Sequence, residues 1–83
     1  MAEKLIGKVI HYFDKIGVAV VKIDKGNLAV GDTIHILRGE RDFQQQVESL
    51  QVEKEQVNKI KSGEEAGMKV DQPVKPGDAI YKI

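Results

Sequence analysis

His11 and His35 are the only histidines in the chain. With a carboxylate such as Asp14 or Glu40 they have the donor types that hold a metal ion. The plainer reading makes both of them half-exposed strand residues. Serine occurs only as Ser49 and Ser62; neither sits in a nucleophile elbow, and acyl transfer needs a placed base and acid besides. Carboxylates come in pairs, as in Glu64-Glu65, but acid–base work requires a cleft that separates their proton affinities. On a small fold with a filled interior they read as turn and solubility residues. No G-x-x-x-x-G-K-[ST] loop is present, so GTP is not an expected ligand. The most coherent chemical set is basic: Lys8, Lys15, Lys22 and Lys25, with Tyr12 and Phe13 beside them. Lysines interleaved with aromatics on a β surface are a means of holding single-stranded RNA. The alternative is a set of edge-protecting lysines around core aromatics.

Charge is unevenly spread. Residues 1–26 carry five lysines against three acids, a net of +2, and residues 40–58 carry five acids against two bases, a net of −3. The acidic stretch suits protein docking, with Phe43 or Leu50 as an apolar anchor on an exposed strand surface. The whole chain of 83 residues has a formal net charge of zero, so no molecular field draws in nucleic acid and RNA contact must rest on a local patch. The absence of cysteine excludes disulfides, a thiol nucleophile and zinc sites built on sulfur. Met1-Ala2-Glu3-Lys4 leads into no apolar signal core, and the longest apolar run, residues 16–21, is far short of a membrane span. The expectation is a soluble, cytoplasmic protein with no membrane partner and no cofactor.

Residue patterning places these groups on strands. Hydrophobic residues make up 41% of the chain and charged residues 31%, a globular balance in one domain over residues 1–83. Residues 5–13 and 16–23 read as two strands joined at Asp14-Lys15 into a hairpin. The second is apolar on both faces, so it should be central or covered. Residues 28–32 form a connector. Residues 33–38 alternate, with Ile34 and Ile36 on one face and His35 and Leu37 on the other. Residues 43–54 form a long fourth strand in which Phe43 and Val47 have the opposite parity to Leu50 and Val52, which predicts a β-bulge near Glu48-Ser49. Val57 and Ile60, three apart, suggest one helical turn over residues 56–61. Residues 67–70 and 79–83 close the count at six. Val30-Gly31-Asp32-Thr33-Ile34 echoes Pro76-Gly77-Asp78-Ala79-Ile80, which reads as two similar strand-opening turns, with glycine at positive φ and Asp bonding amides just beyond it. The fold class is all-β: a small six-stranded antiparallel barrel.

Taken in order, several of these segments resemble domain 2 of elongation factor Tu and initiation factor 2. The matching residues run from Ala19-Val20 through Ile23 and Gly26 to Val30-Gly31-Asp32 and Val47-Glu48-Ser49-Leu50. They continue with Gly63-Glu64-Glu65-Ala66-Gly67 and Pro76-Gly77-Asp78-Ala79-Ile80. The stretch from His11 to Val20 also resembles the opening hairpin of the C-terminal barrel of collagenase-like peptidases. Both resemblances imply a barrel that accompanies another domain in which the chemistry is done. The first implies a non-catalytic module in RNA- or ribosome-related work; the second implies an accessory barrel that docks to a separately encoded enzyme. The pocket for the aminoacylated end of transfer RNA does not carry over. The first hairpin has only Asp14-Lys15-Ile16-Gly17, without an arginine, and Asp71 falls where the factor has one.

Overall fold

The computed structural model describes residues 4–83; the Met1-Ala2-Glu3 start lies outside them. Ten strands follow in order: β1 (Lys4–Phe13), β2 (Val18–Ile23), β3 (Asn27–Ala29), β4 (Thr33–Arg38), β5 (Arg41–Gln46), β6 (Leu50–Val52), β7 (Glu55–Val57), β8 (Lys59–Lys61), β9 (Glu65–Lys69) and β10 (Ala79–Lys82). Eight of them form one antiparallel sheet in the order β5-β4-β10-β1-β2-β9-β6-β7, and β3 pairs with β8. The all-β expectation therefore holds, while the count of six strands and the closed barrel do not. Among the described residues no helix is long and apolar enough to cross a membrane.

Alternation along the strands decides which face is inside. On β2 every second residue, Ala19, Val21 and Ile23, is fully buried, and on β4 so are Ile34 and Ile36. These meet Val9, Met68 and Ile80 from the neighbouring strands in one core. The apolar β2 lies between β1 and β9, both antiparallel to it; such a strand left at an edge would template aggregation. The first hairpin and the strand at residues 33–38 are found as expected.

Two sequence expectations fail for the same reason, which is that the chain leaves the sheet sooner than strand patterning suggests. No bulge marks Glu48-Ser49; the chain exits at residues 47–49 between β5 and β6. This lets Val47 and Leu50 both turn inward despite opposite parity. The register shifts lie instead in β1, between Leu5 and Gly7 and between Val9 and His11. Nor is there a helical turn over residues 56–61. Asn58 bends the chain between β7 and β8, so Ile60 is buried and Val57 packs on the core with three-residue spacing and no helix.

The echo between residues 30–34 and 76–80 proves to be a shared hydrogen-bonded turn, and a third copy accompanies it. In Ala29–Asp32, the Ala29 N–H donates to the Asp32 carboxylate at 2.9 Å, and the Asp32 N–H donates back to the Ala29 carbonyl at 3.1 Å. In residues 75–78, Lys75 and Asp78 repeat both bonds at 3.1 Å. In residues 61–64, Lys61 donates to the Glu64 carboxylate at 2.7 Å and accepts from the Glu64 N–H at 3.1 Å. The acid thus bonds the amide three residues before it, not one beyond it. Each turn has glycine third, with φ of 96° at Gly31 and Gly77 and 87° at Gly63, a region where a Cβ is strained.

Each copy also ties down another segment. The glycine N–H donates to the carbonyl of Val47, Ile23 or Val9, and that same residue's N–H donates to the acid's carbonyl. The strands β4, β9 and β10 begin directly after these turns. Closure of the sheet is left to a side chain. Buried Gln45 of β5 donates its amide to the Lys69 carbonyl and accepts from the Asp71 N–H, both at 2.9 Å.

The three acids differ in burial: Asp78 is fully buried, Asp32 half-buried and Glu64 exposed. Replacing each by alanine should give a graded loss: about 2 kcal/mol or more for Asp78, about 1 for Asp32 and under about 0.5 for Glu64. Urea titration checks the order, and equal losses would mean that the turns are not held by these carboxylates. A second constraint sits at Gly7, where a Cβ would lie 2.0 Å from the Lys22 carbonyl oxygen and 3.0 Å from its carbonyl carbon. Backbone cannot swing aside as a side-chain tip does, so Gly7→Ala should cost about 3 kcal/mol or more, read in the same titration.

Candidate interaction surface

Cross-strand register settles which of the candidate residues share a face. Lys8 pairs with Lys22 across β1 and β2, and Lys22 faces Glu65 on β9. His11 stands opposite Val20 and Phe13 opposite Val18 on the same outer face. The His11 and Phe13 rings meet edge to face with centroids 4.4 Å apart. Tyr12 does not join them: it stands opposite buried Ala19 and packs on the core. Lys15 lies in the turn between β1 and β2, and Lys25 in the turn after β2. At ~3.3 Å per residue, those two are at opposite ends of β2, roughly 25 Å apart. The basic–aromatic set is therefore divided. Lys8 and Lys22 are neighbours, Phe13 shares their face further along, and Tyr12, Lys15 and Lys25 stand apart.

The apolar anchors proposed for strand four are not exposed. Phe43 is 8% and Leu50 1% accessible, because both fall on the inward parity of short strands paired with β4 and β9. Neither can anchor a partner without unfolding. Substitution to alanine should act on stability alone, with a loss of about 2–5 kcal/mol at each in a denaturant titration.

The histidines are separated by β10, which lies between β4 and β1. His35 is level with Tyr81 and Leu5, and His11 is several residues further along β1, so roughly 15 Å or more divides them at ~3.3 Å per residue. His35 pairs with Asp42 through Nε2 and packs against Tyr81 with ring centroids 6.2 Å apart. Glu40 lies in the β4–β5 turn and Asp14 in the β1–β2 turn. Among the described residues no three His, Asp or Glu side chains are grouped to hold a metal ion. Glu64 is engaged by its turn, Ser49 lies in the break after β5, and Ser62 is exposed in the third turn.

Register also brings apolar and basic residues together on the outer face. Leu37, Ala79 and Tyr81 line up across β4 and β10 with Leu5 and Lys8 on β1. Leu5 is 52% and Ile83 47% accessible. The alternation of Ala79, Tyr81 and Ile83 against Ile80 and Lys82 was readable in sequence as a two-faced strand. That β10 lies between β1 and β4, and so joins Leu5 to it, is a matter of topology.

No family model matches the chain. It is 34% identical over 80 residues to a collagenase of Porphyromonas gingivalis, an alignment covering 94% of this chain and 22% of the collagenase. It is 32% identical over 79 residues to an uncharacterized protease of Methanocaldococcus jannaschii, covering 94% of this chain and 19% of that protein. The chain thus spans about a fifth of the length of these relatives. Among solved structures it is similar to the C-terminal domain of a Geobacillus thermoleovorans protein described as a U32 peptidase. The TM-score is 0.88 at 22% identity, over 96% of this chain and 92% of that one. A selenomethionine variant of the same domain gives 0.85 at 20% identity. The fold is therefore that of this C-terminal domain. These matches support the resemblance to the terminal domain of collagenase-like peptidases and give none to a translation-factor identity.

Proposed function

We propose that this chain is a non-catalytic accessory domain that docks to a peptidase of the collagenase or U32 type. The observation that carries this reading is the pairing of 94% coverage of this chain with about a fifth of each relative. What aligns is a whole small domain, and the other four-fifths of those proteins is available for the chemistry. In keeping with that division, the histidines, serines and paired acids of this chain are dispersed or engaged in turns. A fold by itself names no function, so the reading rests on the relatives and on the kind of surface present.

A second reading, contact with RNA or the ribosome, draws on the Lys8–Lys22 pair sharing its face with Phe13. The two part on salt. Counterion release makes phosphate contact fall steeply with ionic strength, whereas docking through an apolar centre changes mildly.

The test is to titrate the chain into the Porphyromonas gingivalis collagenase from which the matching 80-residue segment has been deleted, with melting used to confirm that the deletion protein is folded. A saturable complex that survives 0.5 M salt and ribonuclease is the expected result. No complex, together with salt-sensitive retention of RNA, would overturn docking in favour of the second reading. Peptide hydrolysis by the chain alone would overturn the non-catalytic assignment.

A further inference from the structure

We propose that the docking surface is the outer face of β10 with its neighbours β4 and β1, and that its occupant is the peptidase portion of the partner enzyme; this rests on the accessory reading above. Three observations converge on this face. The first is apolar continuity. Ala79, Tyr81 and Ile83 fall on one side by the two-residue period of a strand, with Leu37 opposite Ala79, Leu5 opposite Tyr81, and the His35–Asp42 pair bordering Tyr81 on its β4 side. Single exposed apolar residues are ordinary, but a contiguous set with a polar rim marks an interaction site. Leu5 and Ile83, two of the five large apolar residues most exposed in the described chain, both belong to it.

The second is charge. Lys8 and Lys22 stand side by side along the β1–β2 flank of this face. Lys82, one residue from Tyr81, is directed the other way: its ammonium lies 3.2 Å from the Asp32 carboxylate and donates to Asn27 at 3.0 Å. The complementary surface is apolar at its centre, with carboxylates on the side that meets β1 and β2.

The third is the path of the chain. Lys4 pairs with Lys82 and Leu5 with Tyr81, so the first described residues of β1 lie beside the end of β10, at this face. The matching Geobacillus domain is C-terminal, so the rest of that protein precedes it in sequence. A partner docked through this face would lie at the end of the sheet where β1 begins. The other exposed apolar pair, Phe13 and Ile16 at the β1–β2 turn, lies at the far end of β1, away from where the chain enters it.

The experiment uses the full chain against the same collagenase deletion protein, with affinity read by calorimetry and folding of each variant by melting. Leu5→Glu combined with Ile83→Glu should weaken binding at least about thirtyfold, and Lys8→Glu combined with Lys22→Glu about tenfold. Ile16→Glu, at the distant turn, should bind as the unaltered chain does. All of the substituted positions are exposed or half-buried, so the fold should survive. Binding by the unaltered chain that neither double variant changes would overturn this face and leave the accessory reading standing. Absence of any binding by the unaltered chain would overturn both. A 12-nucleotide single-stranded RNA that binds when the collagenase does not, and is lost with the Lys8 and Lys22 variant, would assign the face to nucleic acid and overturn the proposal.

Discussion

A carboxylate that accepts the amide three residues before it, with glycine at positive φ between them, opens three of the strands on which this fold depends. The turn does two things at once. It reverses the chain by a bond pattern that only glycine permits at its third position. It also presents the glycine N–H and the acid carbonyl as a matched pair to a residue on another segment. Val9, Ile23 and Val47 take those pairs. The turns thereby fasten the start of β10 to β1, of β9 to the end of β2, and of β4 to the exit from β5. Backbone groups buried at such junctions must be satisfied or they cost more than a hydrogen bond returns. Here the same four residues that make the reversal satisfy them.

This arrangement explains how a chain with many strands of three residues can hold one core. Strands as short as β3, β6, β7 and β8 contribute little ladder of their own, and three-residue pairings are marginal in isolation. Their order is imposed by the turns and by inward side chains such as Leu28, Leu50 and Ile60. Where the sheet does not close by strand pairing, the Gln45 amide supplies one donor and one acceptor to residues 69–71. A buried primary amide can imitate a backbone unit in this way because it carries both kinds of group.

Much of this architecture was legible in the residues. The hairpin of β1 and β2, the alternation of β4 and the strand at residues 79–82 followed from period two and from glycine placement. The Gly-Asp echo marked two of the three turns. The third was hidden because Glu64 replaces the aspartate and reaches the same amide with a longer side chain. The segment at residues 43–61 was misread because parity and spacing presume an unbroken element. Val47 and Leu50 share the core only because the chain leaves the sheet between them, and Val57 and Ile60 only because Asn58 bends it. For the surface, local sequence grouped Lys8, Lys15, Lys22 and Lys25 with Tyr12 and Phe13 but could not distribute them over the fold. Phe43 and Leu50 seemed available as anchors, and only the pairing of their strands shows why they are not.

The division of labour between faces bears on how such a domain can serve a partner. The three turns, the Gln45 bridge and the Gly7 close approach act through backbone groups and through Asp32, Gln45, Glu64 and Asp78, so they specify the fold without using the outer side chains of β10 and β1. Exposed Leu5, Lys8 and Ile83 are therefore free to change with little cost to stability, since surface substitutions away from special backbone features fall within about 0.5 kcal/mol. A face of that kind can be fitted to a docking partner while the turns keep the sheet unchanged. The opposite holds for the acidic stretch at residues 40–58. Its own large apolar residues Phe43, Val47 and Leu50 are buried, and the exposed residue beside it, Val30, whose N–H donates to the Asn58 carbonyl, is a single apolar side chain. Charge alone steers an encounter and sets its salt dependence, whereas a lasting contact also needs apolar area to remove from water. By that criterion the proposed docking face, with Leu5 and Ile83 beside Lys8 and Lys22, is the one assigned to a partner in preference to the acidic stretch.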